Sequence, residues 1–209
     1  MRQLPGVALT RGTRVCVVDD DPAFRRTLEG FLRTAGLDVE SYRTPAEFLA
    51  RPDASTAACL VLDLQMPGMS GLEVQEALAK TDLSLPIVFV SGTADVQSSV
   101  RAMRSGAVDF LEKPFDGSQL LAAIERAVAR AEQERREREQ RDEARALWER
   151  LTPRERQVCE MVAQGLLNKQ IAAVVGSSEH TVKVHRANAL LKLGASSVPD
   201  LVRLLDRAR

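Results

Sequence analysis

The stretch CLVLDLQMPGMSGLE, residues 59–73, decides how the front of this chain is read. Apolar residues from Cys59 to Leu62 run into a lone carboxylate, Asp63. A turn follows at Met66-Pro67-Gly68, and Ser70-Gly71-Leu72-Glu73 then opens a helix. Those last residues form a capping box, in which the hydroxyl accepts from a free backbone N–H while the glutamate reaches back. The order is buried strand, turn, helix, with an acid at the strand's carboxyl end.

The same alternation extends on both sides. Further apolar runs lie at 14–18, 39–42, 86–90 and 108–111. Helical patterns lie between them near 22–35, 45–50, 71–80 and 95–105, and again from 117 onward. Thr44-Pro45-Ala46-Glu47 is a second capping box, with proline at the first helical position where no N–H is missed. Alternating strands and helices predict a parallel sheet covered on both faces.

Ligands of such sheets bind beyond the carboxyl ends of the strands. The residues there are Asp19 and Asp20, Asp63, Ser91 and Lys113. Packed carboxylates repel and call for a cation. Oxygen donors without His or Cys point to Mg²⁺. An aspartate beside such an ion can attack a phosphoryl group and hold it as an acyl phosphate. Asp63 stands alone and is the expected acceptor, Asp19 and Asp20 hold the ion, and Lys113 and Ser91 meet the remaining phosphoryl oxygens. Taken singly, each has a plainer use: an Asp after a strand often caps, and Lys113 could be a surface residue.

The remainder of the chain reads as helix. Residues 116–151 carry an apolar stripe, Leu120, Leu121, Ile124, Ala127, Val128 and Ala131, and then the wholly polar EQERREREQRDE, residues 132–143. Glu132–Arg136, Glu134–Arg138 and Glu137–Arg141 are favourable i,i+4 pairs. The segment is either a solvent-bridging helix, roughly 50 Å long at ~1.5 Å per residue, or a disordered charged linker. Ala144, Leu147, Trp148 and Leu151 restore an apolar stripe. Thr152-Pro153-Arg154-Glu155 is a third capping box, followed by Val158, Met161 and Val162 on one face and a stop at Gly165. Asn168–Val175 stops at Gly176, Ser178 caps a helix through Leu193, and 197–205 is the last. Two short helices around a glycine turn are a helix-turn-helix candidate.

On a wheel of ~100° per residue, Val182, Ala189 and Leu193 share the inward face of helix 178–193. His180, Val184, Ala187 and Asn188 lie opposite, with Lys183 at the edge. That outer face suits the DNA major groove, and Lys169, Lys183, Arg186 and Lys192 are candidates for phosphate contacts. A merely solvated face fits the charges equally. His185 flanks the inward face and reads as structural.

Charge is uneven along a chain of zero formal net charge. Lys and Arg against Asp and Glu number 14 and 17 in residues 1–130, 6 and 7 in 131–151, and 9 and 5 in 152–209. An acidic front and basic end fit a cation site and a polyanion partner, although surface chance would give the same swing. Cys16, Cys59 and Cys159 show no motif spacing and read as buried hydrophobes of a reducing compartment. The first residues lack a signal-peptide core, and no apolar run reaches the roughly 18 residues of a membrane span. The expectation is a cytoplasmic protein.

Four blocks, VCVVDDDP, CLVLDLQMPGMSGLE, LPIVFVSG and GAVDFLEKPF, resemble those of two-component response-regulator receivers over about residues 13–130. The resemblance implies a flavodoxin-like domain with a five-stranded parallel sheet, phosphorylated by a sensor histidine kinase. It implies Asp63 as phosphoacceptor, with Asp20 on Mg²⁺, Asp19 acting through water, and the Gln65 carbonyl completing the metal shell. Ser91 and Lys113 fall at the family's hydroxyl switch and lysine positions. Phe110 falls where receivers place a switch aromatic; here it lacks a hydroxyl and is equally an ordinary core residue. LTPRERQVCEMVAQGLLNKQIAAVVG and TVKVHRANALLKLGA are similar to the LuxR/FixJ-type DNA-binding domain, with Glu155, Gly165, Asn168, Ile171, Ala172, Thr181, Val182 and Lys183 at matching places. Leu167 departs from a usual Ser or Thr, so Asn168 is expected to cap that helix instead, and Ser177 replaces an apolar turn residue.

The whole is expected to be a receiver domain at 13–130, a helical linker at 131–147 and an all-α four-helix helix-turn-helix domain at 148–209. Its expected function is that of a non-enzymatic regulator that binds double-stranded DNA, dimerises on phosphorylation and meets RNA polymerase. The interface would include His180, Thr181, Lys183, Val184, Arg186, Ala187 and Asn188 together with Lys169 and Lys192. Two rivals remain. One is a phospho-gated module whose helical end binds protein. The other is a haloacid-dehalogenase-like phosphatase, which needs an acid two residues after its nucleophile, where this chain has Gln65.

Overall fold

The computed structural model describes residues 9, 11–51, 57–81, 85–92 and 96–208. The expected helix start at 95 and the final residue of the expected last domain lie outside them. The chain divides into two compact units, Met1–Glu134 and Arg135–Arg209.

The first unit alternates strand and helix. In chain order these are β1 (Arg14–Val18), α1 (Pro22–Thr34), β2 (Asp38–Tyr42), α2 (Pro45–Leu49), β3 (Cys59–Asp63), α3 (Gly71–Ala79), β4 (Ile87–Ser91), α4 (Val96–Arg104) and β5 (Asp109–Glu112). The strands form one parallel sheet in the order β2-β1-β3-β4-β5. Val15 lies beside Cys59 and Leu60 beside Ile87, so the strand ends align. Because side chains alternate across a sheet, each strand feeds two cores. Cys16, Val18, Leu60, Leu62 and Phe89 pack with Phe48, Val74, Leu78 and Ala102 of α2, α3 and α4. Val15, Val17, Val61, Val88 and Val90 pack with Leu28 and Leu32 of α1 and with Leu120, Ile124 and Ala127 of the next helix. Each such fully buried aliphatic is worth about 1.5–3 kcal/mol. β3 is buried along its whole length.

That next helix is α5, Gly117–Glu149. It has no break in its polar middle, where Arg130–Glu134 and Arg135–Glu139 are i,i+4 ion pairs. Its residues belong to both units. Among the described residues no helix is long and apolar enough to cross a membrane.

The second unit adds α6 (Pro153–Ala163), α7 (Asn168–Val175), α8 (Glu179–Leu193) and α9 (Val198–Ala208). Leu151, Val158, Cys159, Val162, Ile171, Val182, Ala189, Leu193 and Leu201 form its core. Gly176 at φ 62° makes the left-handed turn between α7 and α8, a conformation that an L side chain resists.

The capping boxes at Ser70/Glu73 and Thr152/Glu155 are both closed. At the second site Thr44 accepts from the Glu47 N–H, but Glu47 reaches one residue further back, to the Arg43 N–H. Asn168 does not cap α7. It is the first helical residue and its Oδ1 accepts from Arg186, while Gln170 reaches back to the Leu167 N–H. All three cysteines are buried and free. Burial pushes the Cys16 and Cys159 thiols up to about 11.

Candidate functional site

β1 and β3 are neighbours although α1, β2 and α2 separate them in sequence. This crossover leaves a crevice beyond their carboxyl ends. Asp19 and Asp63 stand there with side chains 1% and 7% exposed. Lys113, just past β5, reaches both: its Nζ lies 2.6 Å from Asp19 Oδ2 and 2.8 Å from Asp63 Oδ1. Backbone N–H groups take the other oxygens, Asp21 on Asp19 Oδ1 and Gln65 on Asp63 Oδ2, each at 2.9 Å. The Lys113 N–H also donates to the Ser91 carbonyl at 2.7 Å, which places the buried Ser91 at the end of β4 beside this cluster.

The electrostatics follow from the packing. Burial pushes the Asp63 carboxyl above the usual carboxylate range, against the hydrogen bond from Lys113. Burial also pulls the Lys113 ammonium down, but its bonds to Asp19 and Asp63 outweigh this and hold it above the ordinary lysine value. When ionised, two buried carboxylates share one ammonium, leaving net negative charge in an all-oxygen donor set. That chemistry fits a hard divalent cation. Asp19 and Asp63 form a pair, and among the described residues no group of three or more His, Cys, Asp or Glu side chains gathers to hold a metal. Asp20 is exposed and lines a recess of about 160 Å³ with Arg43, Thr44, Pro45, Met66 and Pro67. The Gln65 side chain is exposed, and Phe110 is half-buried with its ring 6.4 Å from that of Phe89.

Three contributors escaped the sequence reading. Gly71 opens α3 against the acceptor strand, where a Cβ would stand 2.4 Å from the Asp63 carbonyl oxygen. Its place directly after the capping serine was the available signal. Gln75 is buried on α3 and donates to Ala102 O and Ser105 O, tying α3 to the end of α4. Its Oε1 is buried with no partner among the described residues. Phe24, in the first turn of α1, lies beneath the Lys113 ammonium. Nothing local marks Gln75 or Phe24.

In the second unit Val182, Ala189 and Leu193 are buried, whereas His180, Lys183, Val184, Ala187 and Asn188 are exposed on α8. Thr181 is half-buried, its hydroxyl 2.8 Å from that of Ser178. Lys169 is exposed on α7, and Lys183 makes a loose 3.5 Å pair with Glu179. Arg186 donates to Asn168 Oδ1 at 3.2 Å. Lys192, expected to meet phosphate, also has a partner within the second unit. Its ammonium binds both oxygens of Glu155, at 2.9 and 2.7 Å, and Glu155 is 4% exposed. The pair fastens α8 to the start of α6.

Residues 15–125 match the family model described as the response regulator receiver domain, and residues 149–205 match that of the bacterial regulatory proteins of the luxR family. The chain is a response regulator. Nodulation protein W of Bradyrhizobium diazoefficiens is 44% identical to this response regulator over 92% of this chain and 85% of that protein. The transcriptional regulatory protein FixJ of the same species is 38% identical over 96% and 98%. Among solved structures, the response regulator StyR is similar at 44% identity with a TM-score of 0.80, covering 93% of this chain and 98% of that one. Full-length FixJ from B. japonicum is similar at 38% identity with a TM-score of 0.58, covering 95% and 98%. This response regulator is a two-component, DNA-binding transcriptional regulator. Its receiver domain implies a histidine kinase partner, and its luxR-family domain implies DNA binding.

Proposed function

We propose that Asp63 is the phosphoacceptor and that its phosphorylation, by the kinase or by a small acyl phosphate, controls DNA binding by α8. The observation that carries this is the Lys113 ammonium joining the two buried carboxylates at the switch point of the sheet. Asp63 supplies the attacking oxygen. Lys113 meets phosphoryl oxygens as charge builds, and the Ser91 hydroxyl meets another. Asp19, Asp20, Asp63 and the Gln65 carbonyl are the proposed Mg²⁺ donors, and the ion when bound supplies charge neutralisation between acid and phosphate. The protein is a regulator that modifies itself, with no catalytic turnover of a substrate.

The outward signal passes through Ser91 and Phe110 to α4. Val96, Val100 and Met103 form an exposed apolar row on that helix, at the spacing of one face. It supports dimer formation on phosphorylation. A dimer presents two copies of α8 to half-sites about one DNA turn apart. His180, Thr181, Lys183, Val184, Arg186, Ala187 and Asn188 form the proposed reading face, with Lys169 and Lys192 on phosphate. Residues 131–147 link a receiver at 13–130 to a DNA-binding domain at 148–209. The protein works in the cytoplasm, and the bound dimer contacts RNA polymerase.

Intact mass spectrometry after acetyl phosphate treatment tests the central step. The parent protein gains one phosphoryl group and Asp63→Asn gains none. Undiminished uptake by Asp63→Asn would refute the assignment.

A further inference from the structure

Phe24 offers the Lys113 ammonium a partner that is neither an acid nor a hydrogen-bond acceptor. The Nζ stands 3.8 Å from the Phe24 ring centroid. Phe115 packs against that ring in a T-shaped arrangement, with centroids 6.0 Å apart and planes at 88°. Both rings are half-buried against the core shared by α1 and α5. The ammonium is thus bounded by Asp19 at 2.6 Å, Asp63 at 2.8 Å and an aromatic face. A lysine stem is long and flexible, and two acceptors alone leave it rotational freedom. An aromatic face attracts a cation through its quadrupole without adding a charge. It therefore confines the ammonium while leaving its positive charge for an incoming anion. A third carboxylate in that place would confine it too, but would repel a phosphoryl group.

We infer that Phe24 is a positioning residue for phosphoryl transfer: its ring face holds the Lys113 ammonium beside Asp63, where the phosphoryl oxygens arrive. This rests on Asp63 being the acceptor. In the step served, one Asp63 oxygen forms a bond to phosphorus. The bond between phosphorus and the donor oxygen of an acyl phosphate breaks, and the donor departs as a carboxylate. No proton is transferred, and Lys113 stays charged throughout. The ring orders a side chain that would otherwise have to be immobilised during the transfer itself.

The test uses the full-length protein and acetyl phosphate, with Phe24 replaced in turn by mono-, di- and trifluorophenylalanine, by Leu and by Tyr. Fluorine drains the ring face of negative potential at nearly constant size. The initial rate of uptake falls stepwise along the fluorinated series, by roughly three- to tenfold at its end. Phe24→Leu falls at least as far, and Phe24→Tyr stays near the parent rate. A second readout needs neither phosphodonor nor metal. In chelated protein the ring current of Phe24 shifts the Lys113 Cε protons upfield, and Phe24→Leu removes that shift. A flat rate across the fluorinated series would overturn the inference even if Phe24→Leu were slow, because the ring would then matter only as bulk. Unshifted Lys113 protons in the parent would overturn it as well. A parent protein that takes up no phosphoryl group would bring down the acceptor assignment and this role together, whereas flat rates in a protein that does take it up strike this role alone.

Discussion

The acidic pocket of the first unit and the outer face of α8 in the second use charge in opposite ways. In the pocket, Asp19 and Asp63 are buried, Lys113 is half-buried, and short hydrogen bonds fix the three together. On α8, Lys183 is mostly exposed and its pair with Glu179 is long. Buried charges must be positioned before the reaction, since they act at fixed atoms of one small group. Exposed cations serve a polyanion whose contacts are spread along a backbone, and they lose little by remaining mobile. The second unit does contain one pocket-like charge pair, Glu155 with Lys192, and there it holds helices together.

The largest test of this contrast is Lys113→Ala. It removes the ammonium between two carboxylates, and phosphoryl uptake should drop by about 100-fold or more, measured by intact mass over time. Lys183→Ala should leave that rate unchanged. Next comes Glu155→Ala, which opens a capping box and strands Lys192. It should cost about 1–2 kcal/mol, read as a lower denaturation midpoint of the second unit, with uptake at Asp63 intact. Gly71→Ala drives a methyl group into the Asp63 carbonyl. It should cost about 2 kcal/mol and slow uptake, because the acceptor strand must shift.

The two charge clusters should also weaken at opposite ends of the pH scale. Lys192 and the capping N–H hold the Glu155 carboxyl below its usual range. A lowered acid contributes stability that is present above its unfolded value, about 4.3, and is lost as pH falls through the folded one. The Lys113 ammonium lies above its usual range. A raised base contributes stability that is present below its unfolded value, about 10.4, and is lost as pH rises through the folded one. Hydrogen exchange in chelator should therefore show the backbone around Glu155 loosening as pH falls and the backbone around Lys113 loosening as pH rises. The smallest effect belongs to Lys183→Ala: stability within about 0.5 kcal/mol, and a salt slope of DNA affinity reduced by about 1. An unchanged slope would remove Lys183 from the interface.

Much of this was legible locally. The alternation of apolar runs and amphipathic stretches located the strands and helices of the first unit to within a few residues. The boxes at Ser70 and Thr152 closed because both partners lie within one helical turn. Glu47 shows the limit even there, since a long side chain chose the N–H one residue upstream. Asn168 shows it again: a residue with the right chemistry for a cap was taken by Arg186 from another helix. The charge on Lys192 reads as a candidate phosphate contact, and nothing local marks its pair with Glu155 of α6.

The sequence by itself therefore determined the elements, their order, and the identity of Asp19, Asp63, Ser91 and Lys113 at strand ends. Periodicity, capping and turn chemistry act over a few residues and can be read along the chain. Only the tertiary structure decided that Lys113 binds both acids, that Phe24 lies beneath it, that Gly71 touches the acceptor strand and that Lys192 pairs with Glu155. Each of those contacts joins residues distant in the chain or set by how one element packs on another. Its energy depends on distances of a few ångströms that no local pattern encodes.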